Sequence, residues 1–156
     1  DNTATNVLID ILGINNINSL INAYNFKDTA IQRKMLDFES KRIGKDNYTS
    51  ARDVSRYLDL VYKGKLISKE YSDIIISIMK GQLDKSMMGY EFPEDQLIAH
   101  KTGSLDGIKH DAGIIFANNY DFSFVMMTYD GKDEVFPKKL IGRAAKETYD
   151  YFNCNK

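Results

Sequence analysis

Tryptophan is absent from this chain, and one cysteine, two prolines and two histidines are spread over its 156 residues. Cys154 lies close to the C-terminal end and has no partner in the chain, so no intrachain disulfide frames the fold. With one cysteine, and with His100 and His110 as the only histidines, no Cys/His spacing of a zinc site exists. A metal centre would have to be built on carboxylates, and neither a metal nor a cofactor is expected. No apolar run approaches the ~20 residues of a membrane span, and no leader segment is visible. Asp1-Asn2-Thr3-Ala4 runs straight into an apolar helical pattern, as if cut from a longer protein. Charge of one sign is also lacking. With 21 Lys and Arg against 22 Asp and Glu, the net charge of -1 provides no basic field for nucleic acid. What is present is ordinary globular composition, 43% hydrophobic and 28% charged, in a chain long enough for a real core.

Two regimes follow one another. Up to about residue 92 the pattern is helical, interrupted by an irregular stretch at about 25–47. Val7, Leu8, Ile11 and Leu12 form one apolar stripe that Gly13 stops, and Ile17, Leu20, Ile21 and Tyr24 form a second. Polar residues dominate from Asn25 to Asn47, and a loop of that length in a compact domain is usually functional. Thr49 or Ser50 caps a helix, with Asp53 spaced to complete a capping box with Ser50, and Val54, Leu58 and Val61 form its buried face. Ser68 caps the next helix, which is expected to turn Ile74, Ile75, Ile78 and Met79 inward and to end at Gly81. Residues 93–156 read differently. Three strands (97–104, 108–116 and 122–129) are joined by tight turns and followed by a helix over about 134–152. The expected fold is therefore α/β of the α+β type, a helical part beside an antiparallel sheet, both within one catalytic domain. Phe124 to Met127 is apolar on both faces, as in strands covered on both sides. Yet it belongs to the last strand, so a neighbouring strand is expected from outside this sequence.

The informative motif is Lys101-Thr102-Gly103-Ser104, at the end of a strand entering a hairpin. A Lys-Thr-Gly triplet is weak alone, but it belongs with Ser-x-x-Lys and Ser-Asp-Asn in a known catalytic set. Asp1-Asn2 supplies the last two letters of the latter, about 100 residues upstream, in the right order. The following Thr3-Ala4-Thr5-Asn6, the stretch Gln32 to Glu39, and the run from His100-Lys101-Thr102-Gly103 to His110-Asp111 extend the likeness. On these residues the chain resembles class A β-lactamases and the penicillin-binding-protein-like serine hydrolases near them. It is similar to their later portion, beginning inside the Ser-Asp-Asn motif. The resemblance implies that the N-terminal sheet strands and the helix with the Ser-x-x-Lys nucleophile come from a preceding segment or a second chain. Without them this chain alone would be inactive. Ser77-Ile78-Met79-Lys80 matches Ser-x-x-Lys formally but sits inside an apolar helix, where the pattern is most simply structural.

The resemblance assigns roles that suit the residue types. The complete protein would form a serine acyl-enzyme with a β-lactam or a D-Ala peptide, outside the cytoplasm, secreted or membrane-anchored. Lys101 would set a positive charge beside the nucleophile. Thr102 would offer a hydroxyl to the substrate carboxylate, and Gly103 would leave room for a substrate amide to lie along the strand. The Ser104 backbone N–H would be one oxyanion-hole donor. Asp1 belongs to the catalytic motif, and Asn2 would bond the substrate's acylamide. His110 falls where many class A β-lactamases have a carboxylate-binding arginine; the other reading is a strand histidine with an ordinary hydrogen bond. His100, one residue before Lys101, alternates to the opposite face and reads as structural. The glutamate that activates the deacylating water in class A β-lactamases aligns without gaps on Met35, with Asp37 and Glu39 nearby. A thioether cannot act as a base, so acylation with slow deacylation is expected. Two alternatives remain: a true class A β-lactamase with its base relocated to Asp37 or Glu39, and a non-catalytic β-lactam sensor domain.

Overall fold

The computed structural model describes residues 1–129, 131 and 133–154, and the chain divides into two compact units, Asp1–Asp53 and Val54–Lys156. This division falls inside a helix. The change of regime near residue 93 is a change of secondary structure.

In the first unit, α1 (Asn2–Leu12) starts where the Asp1 carboxylate accepts the Ala4 N–H, at 2.9 Å. It stops at Gly13, whose N–H still bonds the Ile9 carbonyl but whose φ of 78° turns the following chain out of the helix. α2 (Ile14–Ala23) follows directly. Ile9 and Phe26 form the buried apolar centre of this unit. The expected stripe is helical but not buried: Val7, Leu8, Ile11 and Leu12 are all exposed, because Ile9 lies on the inward face of α1.

The polar stretch after α2 is ordered by side chains that replace missing backbone partners. Asn18 donates to the Ile31 carbonyl and accepts the Ile31 N–H. Asn47 accepts the Gln32 and Arg33 N–H groups and donates to the Arg33 carbonyl. Asp53 accepts the Asp28 N–H and the Thr29 hydroxyl. Its own N–H is taken by Ser50, so the capping box forms on one side only, its carboxylate being committed to the loop. The stretch also contains a helix that periodicity did not reveal. α3 (Phe38–Arg42) is only five residues long and is set by its cap Asp37, whose carboxylate takes both the Ser40 N–H and hydroxyl.

α4 (Ala51–Tyr62) leads into the second unit and buries Leu58 and Val61. α5 (Lys69–Lys80) is capped by Ser68 as the sequence implied. Its inward face differs from expectation. Ile74 and Ile78 are exposed, while Ser72 is fully buried and Ile75 and Met79 are half-buried. The helical repeat from Ser72 selects positions three and seven on, and these reach Ile75 and Met79.

Three antiparallel strands follow, β1 (Ile98–Leu105), β2 (Ile108–Ile115) and β3 (Phe122–Met127), in the order β1-β2-β3, and α6 (Phe136–Cys154) closes the chain. β3 ends two residues before the predicted limit at Tyr129. The register pairs Thr102 with Asp111, Gly103 with His110 and Ser104 with Lys109. One sheet face carries Ile98, Ile115, Phe122, Phe124 and Met126 and packs on Ile141, Ala145 and Tyr149 of α6, with Met87 and Met88 completing the core. α5 packs along β1.

His100, Asp111 and Gly113 form one device on the α6 face. Gly113 pairs with His100, and a Cβ there would lie 2.5 Å from both the Ala99 carbonyl oxygen and the His100 Cβ. The missing side chain lets the ring pack close and reach Asp111, which is fully buried and lies 3.0 Å from Nδ1. Asp111 also accepts the Met88 N–H, at 2.9 Å.

Candidate functional site

Within the second unit the Lys-Thr-Gly-Ser segment lies on β1, an edge strand of the sheet. Two backbone hydrogen bonds fix which groups point outward. The Phe116 N–H donates to the Leu97 carbonyl, which makes Leu97–Phe116 a bonded pair of the β1–β2 ladder. At the other end the Thr128 N–H donates to the Lys109 carbonyl, which turns the Lys109 backbone toward β3 and away from β1. Antiparallel pairs alternate between bonded and non-bonded, and both ends give the same phase. Lys101–Ala112 and Gly103–His110 are bonded pairs. Thr102 and Ser104 belong to non-bonded pairs, so their N–H and C=O groups face the open edge. An extended ligand placed there would meet a ready row of donors and acceptors.

The side chains alternate across the sheet. Lys101 and Gly103 share a face with His110 and Ala112; Thr102 and Ser104 share the other with His100, Lys109 and Asp111. Lys101 is exposed, and its ammonium donates to the Thr102 carbonyl. A Cβ at Gly103 would meet only the His110 Cβ, at an ordinary 3.6 Å, so packing within this unit does not demand a glycine here. His110 is half-buried, with Nδ1 at 2.9 Å from the Lys109 carbonyl oxygen and 3.2 Å from the Thr128 nitrogen. Nδ1 serves one of these at a time, according to tautomer. His100 sits on the opposite face from Lys101 and is buried in its pair with Asp111, the structural position its alternation implied.

The remaining motif residues lie in the first unit. Asp1 caps α1 and Asn2 opens it. One turn further, Asn6 is on the same helix face as Asn2 and grips the main chain of Met35 on both sides. It donates to the Met35 carbonyl at 3.0 Å and accepts the Met35 N–H at 2.7 Å. Leu36 follows with a φ of 65°, an uncommon conformation for a residue other than glycine. The loop is closed by Arg33, whose guanidinium bonds Asp46 at 2.6 and 2.8 Å. Burial opposes ionisation of Asp46, but the bonds from Arg33 and the Asn47 N–H outweigh it and hold its carboxyl below the ordinary value. Asp37 is also lowered, first by the Ser40 hydroxyl and then by the Ser40 N–H. Glu39 is exposed and paired with Arg42.

The sequence pattern assigns no role to Asn6, Lys109 or Asp111, which the structure shows holding the loop and the sheet. An available signal was the spacing of Asn2 and Asn6, and another was a lysine in register with buried strand positions. Among the described residues, no three His, Cys, Asp or Glu side chains cluster as metal ligands do.

Comparison with solved structures places this arrangement among known proteins. A β-lactamase from Chitinophaga pinensis DSM 2588 superposes with a TM-score of 0.88 at 25% identity, covering 98% of this chain and 61% of its own. PBP-A superposes with a TM-score of 0.85 at 26% identity, over 97% of this chain and 56% of its own. A β-lactamase from Sphaerobacter thermophilus DSM 20745 shares the fold, with a TM-score of 0.87 at 24% identity and 97% and 58% coverage. The chain thus spans less than two thirds of the length of these proteins. A variant of PBP-A has been solved as an acyl-enzyme complex with penicillin G. No curated protein matches the chain. The model of the β-lactamase enzyme family matches residues 1–152. With its sheet, its Lys-Thr-Gly-Ser edge and that match over nearly its whole length, the chain belongs to the β-lactamase enzyme family.

Proposed function

We propose that the complete protein is a serine hydrolase that acylates itself with β-lactams or D-Ala peptides and releases the product slowly. In acylation, a serine supplied by the missing segment or a second chain attacks the substrate carbonyl. Its proton passes to the leaving nitrogen as the C–N bond breaks, which leaves an ester. The observation that carries the reading is the outward-facing backbone of Thr102 and Ser104 on an open strand edge, beside the exposed ammonium of Lys101. The Ser104 N–H serves as an oxyanion donor, the Thr102 hydroxyl and His110 meet the substrate carboxylate, and Asn2 takes the acylamide. Asp1 orders the start of the Asn2 helix through its cap. The proposal includes a reaction outside the cytoplasm, which the resemblance alone implies.

Slow release follows from the loop. Hydrolysis of the ester needs a base within hydrogen-bond reach of a water. The Asn6 grip supports Met35 as the residue at that position. The relocated-base alternative loses support, because both oxygens of Asp37 are engaged by Ser40 and Glu39 pairs with Arg42. The PBP-A variant with penicillin G bound as an acyl-enzyme is a precedent for a trapped ester in a similar protein. Mass spectrometry of the intact protein mixed with penicillin G tests the proposal. A covalent adduct that persists while free penicillin remains is the expected result, and rapid turnover without detectable adduct would overturn it.

A further inference from the structure

Lys109 is a buried lysine that the mechanism above does not use, with a side chain only 4% exposed. Its three N–H donors meet three acceptors: the Ser104 hydroxyl at 2.8 Å, the Leu105 carbonyl at 3.3 Å, and the Glu134 carboxylate ahead of α6. An ammonium loses several kcal/mol of solvation on burial unless its donors are satisfied, so this set of partners fixes where the nitrogen sits. The backbone of Lys109 is fixed as well. Its N–H donates to the Thr128 hydroxyl, and its carbonyl accepts that hydroxyl and the Thr128 N–H.

Ser104 is the last residue but one of β1, and its N–H points away from β2. It shares a planar peptide group with the Gly103 carbonyl, which the bonded pair Gly103–His110 turns toward β2, so the ladder holds this plane on its Gly103 side. On the Ser104 side the restraint comes through its side chain. Non-bonded antiparallel pairs bring their side chains close, and Ser104 and Lys109 are such a pair. Resting on the proposed acyl-transfer reading, we infer that Lys109, anchored by Glu134, is a positioning residue that aims the Ser104 N–H at the developing oxyanion. Lys109 does not bind the substrate, since its donors are already spent. It acts through the serine hydroxyl and the Leu105 carbonyl, which hold the chain just after the Gly103–Ser104 amide plane, while the Gly103–His110 pair holds it just before.

The test uses the intact protein, penicillin G, and the variants Lys109→Met, Ser104→Ala and Ser104→Thr. Ser104→Ala removes only the hydroxyl contact, so it reports even if Lys109→Met folds poorly. Removing an oxyanion donor costs on the order of a hundredfold or more, and loosening one is expected to slow acylation on the order of tenfold. Lys109→Met and Ser104→Ala should each do so with little change in initial penicillin affinity, and the double variant should lose no more than either single. Ser104→Thr, which keeps the hydroxyl, should restore the rate. In the acyl-enzyme, the infrared band of the ester carbonyl should move to higher wavenumber in Lys109→Met and Ser104→Ala, because the hydrogen bond from the amide weakens. A role confined to stability would lower the unfolding midpoint and leave the band in place. An unmoved band with an unchanged acylation rate overturns the positioning role and leaves the acyl-enzyme reading standing. If the wild-type protein forms no adduct, both fall together.

Discussion

Replacing Asp111 separates two ways in which a buried polar group stabilises a fold. Its carboxylate is fully buried and accepts from two donors, the Met88 N–H and the His100 Nδ1. A carboxylate only accepts, so the ring must carry its proton on Nδ1. Asp111→Ala strands both donors. Each unsatisfied buried donor costs about 1–3 kcal/mol, and breaking a buried pair from one side costs about 3–5 kcal/mol. A loss near the middle of these, about 4 kcal/mol, is the expected result. Asp111→Asn should cost far less, about 1 kcal/mol. Its carbonyl can take the Met88 N–H, and its amide can donate to Nδ1 once the ring moves its proton to Nε2. Urea unfolding of the intact protein, followed by circular dichroism, measures both. If alanine costs under about 1 kcal/mol, or asparagine costs as much as alanine, the satisfied-donor account of this site is wrong.

Five further outcomes are expected. Lys101→Ala in the intact protein should slow acylation by penicillin much more than it shifts the unfolding midpoint, because an exposed lysine adds at most about 1 kcal/mol to folding; unchanged acylation would remove Lys101 from the mechanism. Met35→Glu should speed decay of the adduct if the Asn6 grip presents that position to the ester, and an unchanged lifetime would count against the loop placement. Arg33→Ala should open the loop locally at a cost of about 1 kcal/mol, read as faster proteolysis between residues 27 and 47. Asp37 and Asp46 titrate below their ordinary value in the folded loop, so their contribution is present above about pH 4 and is lost as the pH falls through the lowered values; protease resistance of the loop that is unaffected by acid would contradict this. The ladder phase turns the amides of Ser123, Val125 and Met127 away from β2, and hydrogen exchange should find them protected in the intact protein by the strand proposed to pair there; exchange at solvent rates would exclude that partner.

Elements with local signals are written in the sequence. Asp1 and Ser68 cap helices, and Gly13 and Gly81 end them, because those bonds reach only three or four residues along the chain. The hairpin and the face of each strand residue followed from alternation, which sent His100 away from Lys101 before any contact was known. Tertiary structure decided whatever depends on residues distant in sequence. The inward face of α5 is not legible in the sequence, because its neighbouring apolar residues outline two possible stripes and only packing selects one. The loop after α2 has no repeating pattern, since Asn18, Asn47 and Asp53 hold it from 13 to 25 residues away. Asn6 meets Met35 across 29 residues, and Asp111 meets the Met88 N–H across 23. Lys109 reads as a surface cation until the fold brings Ser104, Leu105 and Glu134 around its ammonium. A lysine's charge says nothing about its burial, because burial is decided by whether three acceptors converge on it, and only the folded chain brings them together.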